Sequence, residues 1–156
     1  MKKSATRIIG IDYGMARIGL AFSDEQKIIA MPLMTLKTEK KLEGTVNKLH
    51  KELETHQKTF QYTIDEIVVG LPLLLSGKSG LLADEVKHFI EQLKKSTQTP
   101  IILWDERLTS VQADRALRES SMTRKQRSKH VDSVAAVILL QSYLDHHNIN
   151  KERTTR

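Results

Sequence analysis

The chain has 156 residues, 39% of them apolar and 28% charged, which is typical of one globular domain with a hydrophobic core. It contains no cysteine, so disulfides, thiolate metal sites and cysteine nucleophiles are excluded. The formal net charge of +6 favours a polyanionic partner, and the lack of an apolar leader or of a membrane-length apolar run predicts a cytoplasmic protein.

A β-hairpin is predicted at the N-terminus. Residues 8–11 form a mostly β-branched apolar run that favours a strand buried on both faces, and a second strand runs back from about residue 18. Asp12 follows the apolar run directly, and the nearby Gly10 and Gly14 allow a sharp corner and close approach by a ligand. A carboxylate on a core strand is costly unless it is paired or binds a metal, although an aspartate that caps a turn is the alternative.

The remaining apolar patterns predict further strands and helices along the chain. The predicted strands are Lys27 to Met31, which ends or meets a sheet edge at Pro32, and then residues 64–70 and 100–104. Helices marked by Leu42 to Leu53 and by Leu82 to Leu93 lie between these strands. A short helix around 111–117 and a final helix from about Val131 to about Asp145 follow. Residues 57–63 read as a polar connection. Residues 148–156 read as a frayed tail after a single domain at 1–147.

This order of elements predicts an α/β fold. Strand–helix–strand units require parallel pairing with right-handed crossovers. We therefore expect a mixed five-stranded sheet, with three antiparallel strands followed by two parallel ones, flanked by helices on both faces. In such sheets ligands bind beyond the carboxyl ends of the parallel strands.

Acidic residues occur where such a ligand would bind. Asp12 follows the first strand and Glu106 follows the last, while Asp132 opens the final helix and is a third candidate. If the fold brings them together, a divalent cation would relieve their mutual repulsion, and oxygen-only ligands suit Mg²⁺ or Mn²⁺. Taken singly, Glu106 could form a surface ion pair and Asp132 could be a first-turn acid favoured by the helix dipole.

Several short motifs resemble one family closely. The segments are 10–14 (Gly-Ile-Asp-Tyr-Gly), 17–19 (Arg-Ile-Gly), 69–73 (Val-Gly-Leu-Pro-Leu), 105–109 (Asp-Glu-Arg-Leu-Thr) and 132–136 (Asp-Ser-Val-Ala-Ala), and together they resemble the YqgF/RuvX family, bacterial relatives of Holliday-junction resolvases. The resemblance implies an RNase H-like fold and a nuclease that processes the 5′ end of the pre-16S ribosomal RNA. It also implies that Asp12, Glu106 and Asp132 occupy the acidic positions of the active site. Precursor ribosomal RNA is then the favoured partner, with structured DNA and ribosomal particles as further candidates.

The final helix departs from the related resolvases in one respect. Those enzymes tend to place two acids one turn apart there, whereas Lys129 and Ala135 lie three residues before and after Asp132. A site of three carboxylates leaves positions for water or substrate phosphate around the metal. We therefore expect weak metal binding in the free protein.

Basic residues near these acids are the candidate substrate contacts. Arginine can bond two phosphate oxygens at once, although a structural ion pair is the alternative at each position. Residues 115–129 hold six basic residues and one acid, which indicates a substrate lip or, alternatively, a solvated loop. The predicted substrate-binding residues are Arg17, Arg107, Arg124, Lys125, Arg127 and Lys129. Tyr13 and Trp104 flank buried strands, which favours core packing over base stacking.

Three alternative functions remain open at this point. An ATP-using enzyme of the actin–hexokinase type also carries Gly-Ile-Asp-x-Gly at a phosphate-contacting hairpin, but it needs two such domains and this chain supplies one. A nuclease for Holliday junctions or other structured DNA is the second alternative. A non-catalytic RNA-binding factor in ribosome assembly is the third. Because no segment is a recognisable base-reading module, the sequence does not separate RNA from DNA.

Overall fold

A computed structural model describes residues 4–72, 80–106 and 124–155, and it describes side chains for 4–72, 80–106 and 134–153. The elements are β1 (Ala5–Tyr13), β2 (Arg17–Ser23), β3 (Ala30–Lys37), α1 (Leu42–Phe60), β4 (Tyr62–Leu71), α2 (Leu81–Lys94), β5 (Ile101–Asp105) and α3 (Arg124–Thr155). The short helix predicted around 111–117 lies outside the described residues. No helix in the described segments combines the length and apolar character that a membrane span needs.

The five strands form one mixed sheet in the order β3-β2-β1-β4-β5. β2 pairs antiparallel with both β1 and β3, whereas β4 pairs parallel with both β1 and β5. The predicted α/β sheet, with three antiparallel strands followed by two parallel ones, is therefore confirmed. β1, β4 and β5 all finish at the same end of the sheet, which we call the carboxyl end.

The sheet separates two hydrophobic cores. On one face, Ile9 and Ile11 of β1 pack with residues of α1 and α2, among them Phe89. On the other face, Ile8 belongs to a cluster with Leu140 of α3. The central strand is thus buried on both sides, as its β-branched run predicts.

Helix α3 runs antiparallel to β4. Leu139 lies beside Gly70, near the end of β4. One turn later in the helix, the Tyr143 hydroxyl donates a hydrogen bond to Glu66 Oε2 at 2.9 Å, four residues earlier in the strand. The helix therefore begins on the side of the carboxyl end of the sheet, which bears on the position of its first turns.

Strand β3 differs from its prediction. It begins at Ala30 and continues through Pro32 to Lys37, so the strand bounds predicted from Lys27 to Met31 are wrong. Pro32 is tolerated because β3 is an edge strand, the alternative that the sequence offered, and because its pairing with β2 shifts register beside the proline.

Two helices are longer than predicted. Helix α3 spans Arg124–Thr155 and exceeds the predicted bounds at both ends, and residues 148–155, predicted as a frayed tail, are helical. Helix α1 also extends further, so the connection predicted at 57–63 shortens to Gln61. Gln61 adopts a left-handed conformation with φ 55°, which ends the helix and turns the chain into β4.

Candidate active site

Asp12 is the penultimate residue of β1, within the strand rather than after it. Only 3% of its surface is exposed. Side chains alternate along a strand, so Asp12 lies on the same face as Ile8 and Gly10, the face covered by α3. A β-carbon at Gly10 would lie 2.8 Å from Leu140 Cβ. The absence of a side chain at Gly10 therefore lets α3 pack close to β1, two residues before Asp12.

Glu106 follows β5 directly, and its carboxylate reaches sideways over β4. It is also 3% exposed. A β-carbon added to Gly70 would lie 2.7 Å from Glu106 Oε1 and 3.2 Å from Glu106 Cγ. The glutamate side chain therefore occupies the volume that any larger residue at position 70 would fill. Leu139 of α3 closes the other side of this space, with its Cδ2 3.0 Å from the same point.

The sheet register brings the two acids toward each other. β1 and β4 are parallel neighbours, with Ile11 opposite Val69, so Asp12 and Gly70 are the next positions along that pair. Adjacent strands lie about 4.8 Å apart. Since the Glu106 carboxylate lies over Gly70, it lies over the strand beside Asp12, on the same face of the sheet. Both acids therefore lie at the carboxyl end of the sheet, and the shared site of Asp12, Glu106 and Asp132 stays a prediction.

The other predicted site residues are described less fully. Arg17 is the first residue of β2, and its carbonyl accepts a hydrogen bond from the Gly14 amide at 2.9 Å, which closes the hairpin beside Asp12. Arg107 lies outside the described residues. The remaining predicted residues lie in the first turns of α3, and their side chains fall outside the description; they are Arg124, Lys125, Arg127, Lys129 and Asp132. Within the described part of the chain, no three histidine or acidic residues form a metal-binding group.

The two aromatic residues near the site are packing residues, as predicted. The Tyr13 ring lies 4.8 Å from the Phe89 ring, centroid to centroid. Burial, together with the charge of Glu85, raises the pKa of the Tyr13 hydroxyl, so it stays protonated at neutral pH. Trp104 packs edge-on against Tyr143 at 5.4 Å. Tyr13 is buried, and Trp104 is partly buried against α3.

Gly70 is the functional position that sequence reasoning missed. The sequence shows it only as part of a motif, whereas in the structure the absence of a side chain at position 70 makes room for Glu106. A signal was present, because a glycine inside an apolar strand often marks close approach of another group. The sequence does not say which group approaches.

A family model described as "RuvX: Holliday junction resolvase" matches residues 6–146. The chain belongs to the RuvX family. The resemblance stated from the short motifs is therefore confirmed, and the match includes all three candidate acids.

Curated RuvX relatives cover nearly the full chain. A protein of Protochlamydia amoebophila is 62% identical over 144 residues, which is 92% of this chain and 96% of the relative. A protein of Koribacter versatilis is 41% identical over 146 residues, 94% of this chain and 91% of the relative. Both carry the name "Putative pre-16S rRNA nuclease". These names agree with the predicted enzyme class, a hydrolase of phosphodiester bonds.

A solved structure confirms the RNase H-like fold of this RuvX chain. Thermus thermophilus RuvC, in complex with a Holliday junction substrate, superposes with a TM-score of 0.54 at 16% identity. The alignment covers 91% of this chain and 95% of RuvC. At this identity the likeness shows the fold alone.

Proposed function

We propose that this RuvX protein hydrolyses phosphodiester bonds of ribosomal RNA precursors, at the 5′ end of pre-16S rRNA, in the cytoplasm. The observation that carries the proposal is the placement of Glu106 over Gly70, beside Asp12, at the carboxyl end of the sheet. The name shared by the relatives supports the choice of substrate. Ribosomal particles are the corresponding candidate partner.

The residues fit a divalent metal ion of the Mg²⁺ or Mn²⁺ kind. Asp12 and Glu106 are both buried to 3% exposure, and buried carboxylates need a cation or strong hydrogen bonds to offset desolvation. Their donor atoms are all oxygen, which suits Mg²⁺ and Mn²⁺ and not zinc. Such a cation, when bound, activates water and stabilises the leaving oxygen of a phosphodiester.

The direction of α3 supports Asp132 as the third acid of this site. Position 132 precedes Ala136 by one turn and Leu139 by two, so the helical repeat assigns all three to one side of α3. Ala136 and Leu139 contact the sheet at Gly10 and Gly70. Because α3 runs antiparallel to β4, earlier turns of the helix lie further toward the carboxyl end of the sheet.

Each predicted site residue has a role in this proposal. Asp12, Glu106 and Asp132 would hold the cation, and the burial of the first two, in β1 and directly after β5, restricts their freedom before substrate binds. The basic residues hold substrate phosphates; they are Arg17, Arg107, Arg124, Lys125, Arg127 and Lys129. With three carboxylates, substrate oxygens complete the ligand set, so metal affinity should rise when RNA is present.

Structured DNA is a second candidate substrate. The description of the matching family model as a Holliday junction resolvase favours it, as that model covers residues 6–146. The catalytic residues would be unchanged. Only the shape of the nucleic acid that reaches them would differ.

One experiment separates these functions. Pre-16S rRNA, single-stranded RNA and a four-way DNA junction are each incubated with wild type and with Asp12→Asn, with and without Mn²⁺. We expect Mn²⁺-dependent cleavage of the precursor by wild type and loss of at least about 10²-fold in the variant. Preferred cleavage of the junction would favour the second candidate. RNA binding with equal, residual cleavage in both preparations would identify a non-catalytic assembly factor and overturn the proposal.

A further inference from the structure

A basic groove lies at the start of α1, two strands away from the acidic site. It is an open cavity of about 740 Å³, and Lys40, Lys41, Asn47, Lys48 and Lys51 are among the residues that line it. Glu39 is the one acid among its described lining residues. We call this cavity the lysine groove.

The positive charge of the lysine groove is largely uncompensated. Lys48 Nζ lies 3.5 Å from Glu39 Oε1 and donates a hydrogen bond to the Lys37 carbonyl at 3.3 Å. The negative charge of Glu39 is therefore balanced by Lys48. Lys40, Lys41 and Lys51 are exposed. Within the described segments these three have no carboxylate at salt-bridge distance.

The groove opens at the same end of the sheet as the acidic site. Asp12 pairs with Gly19 of β2, which in turn pairs with Thr35 of β3, two residues before the end of that strand. Two strand spacings correspond to about 10 Å. β3 ends at Lys37 and leads directly into the residues of the groove.

A smaller cavity lies between the lysine groove and the end of the hairpin of β1 and β2. It has a volume of about 170 Å³ and is lined by Tyr13 of β1, by Met15 in the turn that follows and by Glu85 of α2, and also by Glu39 and Lys40 of the lysine groove. Tyr13 follows Asp12 directly in the chain. The Tyr13 side chain packs on the face of α1 and α2 whereas Asp12 lies on the face of α3, so the lysines and the acidic site lie on opposite faces of the sheet, at the same end.

We propose that the lysine groove binds the phosphodiester backbone of the RNA strand that extends from the acidic site. The inference rests on the proposed function for that site. Lysine ammonium groups on flexible stems suit phosphate contacts that carry no sequence preference, and the Asn47 amide can bond to phosphate or sugar oxygens. The position of the groove at the same end of the sheet as the acidic site, two strands from Asp12, favours the substrate backbone over an acidic protein partner.

Binding of single-stranded RNA to metal-free protein tests the proposal without any need for cleavage. The test variant combines Lys40→Gln, Lys41→Gln and Lys51→Gln. The control combines Lys58→Gln, Lys94→Gln and Lys95→Gln, three exposed lysines in or just after the last turns of α1 and α2, at the opposite end of the sheet. Both triple variants remove the same net charge.

We expect the groove variant to bind RNA about tenfold or more weakly at moderate salt. The slope of log K against the logarithm of the salt concentration should become shallower by about two, since each phosphate contact on a single strand contributes roughly 0.7. The control should bind as wild type does. Equal losses in the two triple variants, or none in either, would overturn the proposal. The three single substitutions provide the same comparison if the triple variant melts early.

Two further readouts keep this inference separate from the proposed function. If the groove variant keeps RNA affinity but loses affinity for polyglutamate, the groove serves an acidic protein and the proposal is wrong. If wild type cleaves RNA, we expect the groove variant to raise KM for long RNA and to leave cleavage of a dinucleotide unchanged. A wild type that binds RNA through the groove and cleaves nothing would contradict the proposed function alone.

Discussion

Glu106 Oε1 lies 2.7 Å from the point that a β-carbon at Gly70 would occupy. This relationship joins the last strand of the sheet to the strand beside Asp12. Without it, the acid that follows β5 would be two strand spacings, or about 10 Å, from β1. The glycine thus determines whether the two acids can serve one cation.

Gly70→Ala should therefore impair activity more than stability. The new methyl group would meet Glu106 Oε1 at 2.7 Å and Leu139 Cδ2 at 3.0 Å, both at the ends of flexible side chains that can move aside. Overpacking of this kind costs about 1–3 kcal/mol of unfolding free energy. A carboxylate displaced by about 1 Å costs on the order of 10²-fold in kcat, measured on RNA with Mn²⁺.

Gly10→Ala is the matched control for that substitution. Its β-carbon would lie 2.8 Å from Leu140 Cβ, an atom attached to the helix backbone, so relief requires α3 itself to shift. We expect a larger drop in urea midpoint than for Gly70→Ala. Full kcat in Gly70→Ala would contradict the role given to position 70.

Gln141 attaches α3 to the loop between β2 and β3. Its Nε2 donates to the Ile28 carbonyl at 2.8 Å and its Oε1 accepts from the Ala30 amide at 2.9 Å. Gln141→Met keeps the length and removes both bonds and a third, from Nε2 to Asp145 Oδ1 at 2.9 Å, so we expect a loss of about 1–3 kcal/mol in urea unfolding. Asn148→Ala, which removes one bond to the Lys27 carbonyl, should cost less. An unchanged midpoint in Gln141→Met would show that water replaces these bonds.

Stability should depend on pH through His56, at the far end of the sheet. Burial and, second, the charge of Arg7 lower the pKa of His56 below its usual 6.5. Its Nδ1 lies at hydrogen-bond distance, 2.7 Å, from the Tyr62 hydroxyl, whose pKa is raised to about 12 by burial, so a protonated hydroxyl pairs with a neutral imidazole at neutral pH. The folded state resists protonation, and stability falls as the pH drops below about 6.5.

The comparison of wild type with His56→Gln measures this contribution. The difference in unfolding free energy between the two proteins should be larger at pH 8 than at pH 5, because the variant has no group to protonate at that position. Urea titrations across this range give the profile. A difference that stays constant with pH would contradict the prediction.

The sequence was sufficient where local pattern and the rules for parallel sheets agree. The β-branched residues at 8–11 predict a central strand because only such a strand buries both faces. Asp12 and Glu106 were recognised because both follow or end parallel strands, and the carboxyl ends of such strands meet at one place.

The sequence failed where tertiary contacts decide. The turns of α3 after Leu144 contain one apolar residue, Ile149, so no apolar repeat indicates that the helix continues to Thr155. Pro32 indicates a strand end unless the strand is known to be at an edge. The part played by Gly70 depends on the path of a side chain from another strand, which no local pattern contains.

The most direct test of the account is Mn²⁺ binding in the presence of uncleavable RNA. Spin resonance would follow free Mn²⁺ for wild type, Asp12→Asn, Glu106→Gln and Asp132→Asn, with Asp105→Asn as the neighbouring control. Because loss of even a supporting residue weakens metal affinity about 10–100-fold, each of the first three variants should lose at least that much, and the control should match wild type. Wild-type Mn²⁺ affinity in Asp12→Asn or Glu106→Gln would contradict the claim that these acids hold one metal site.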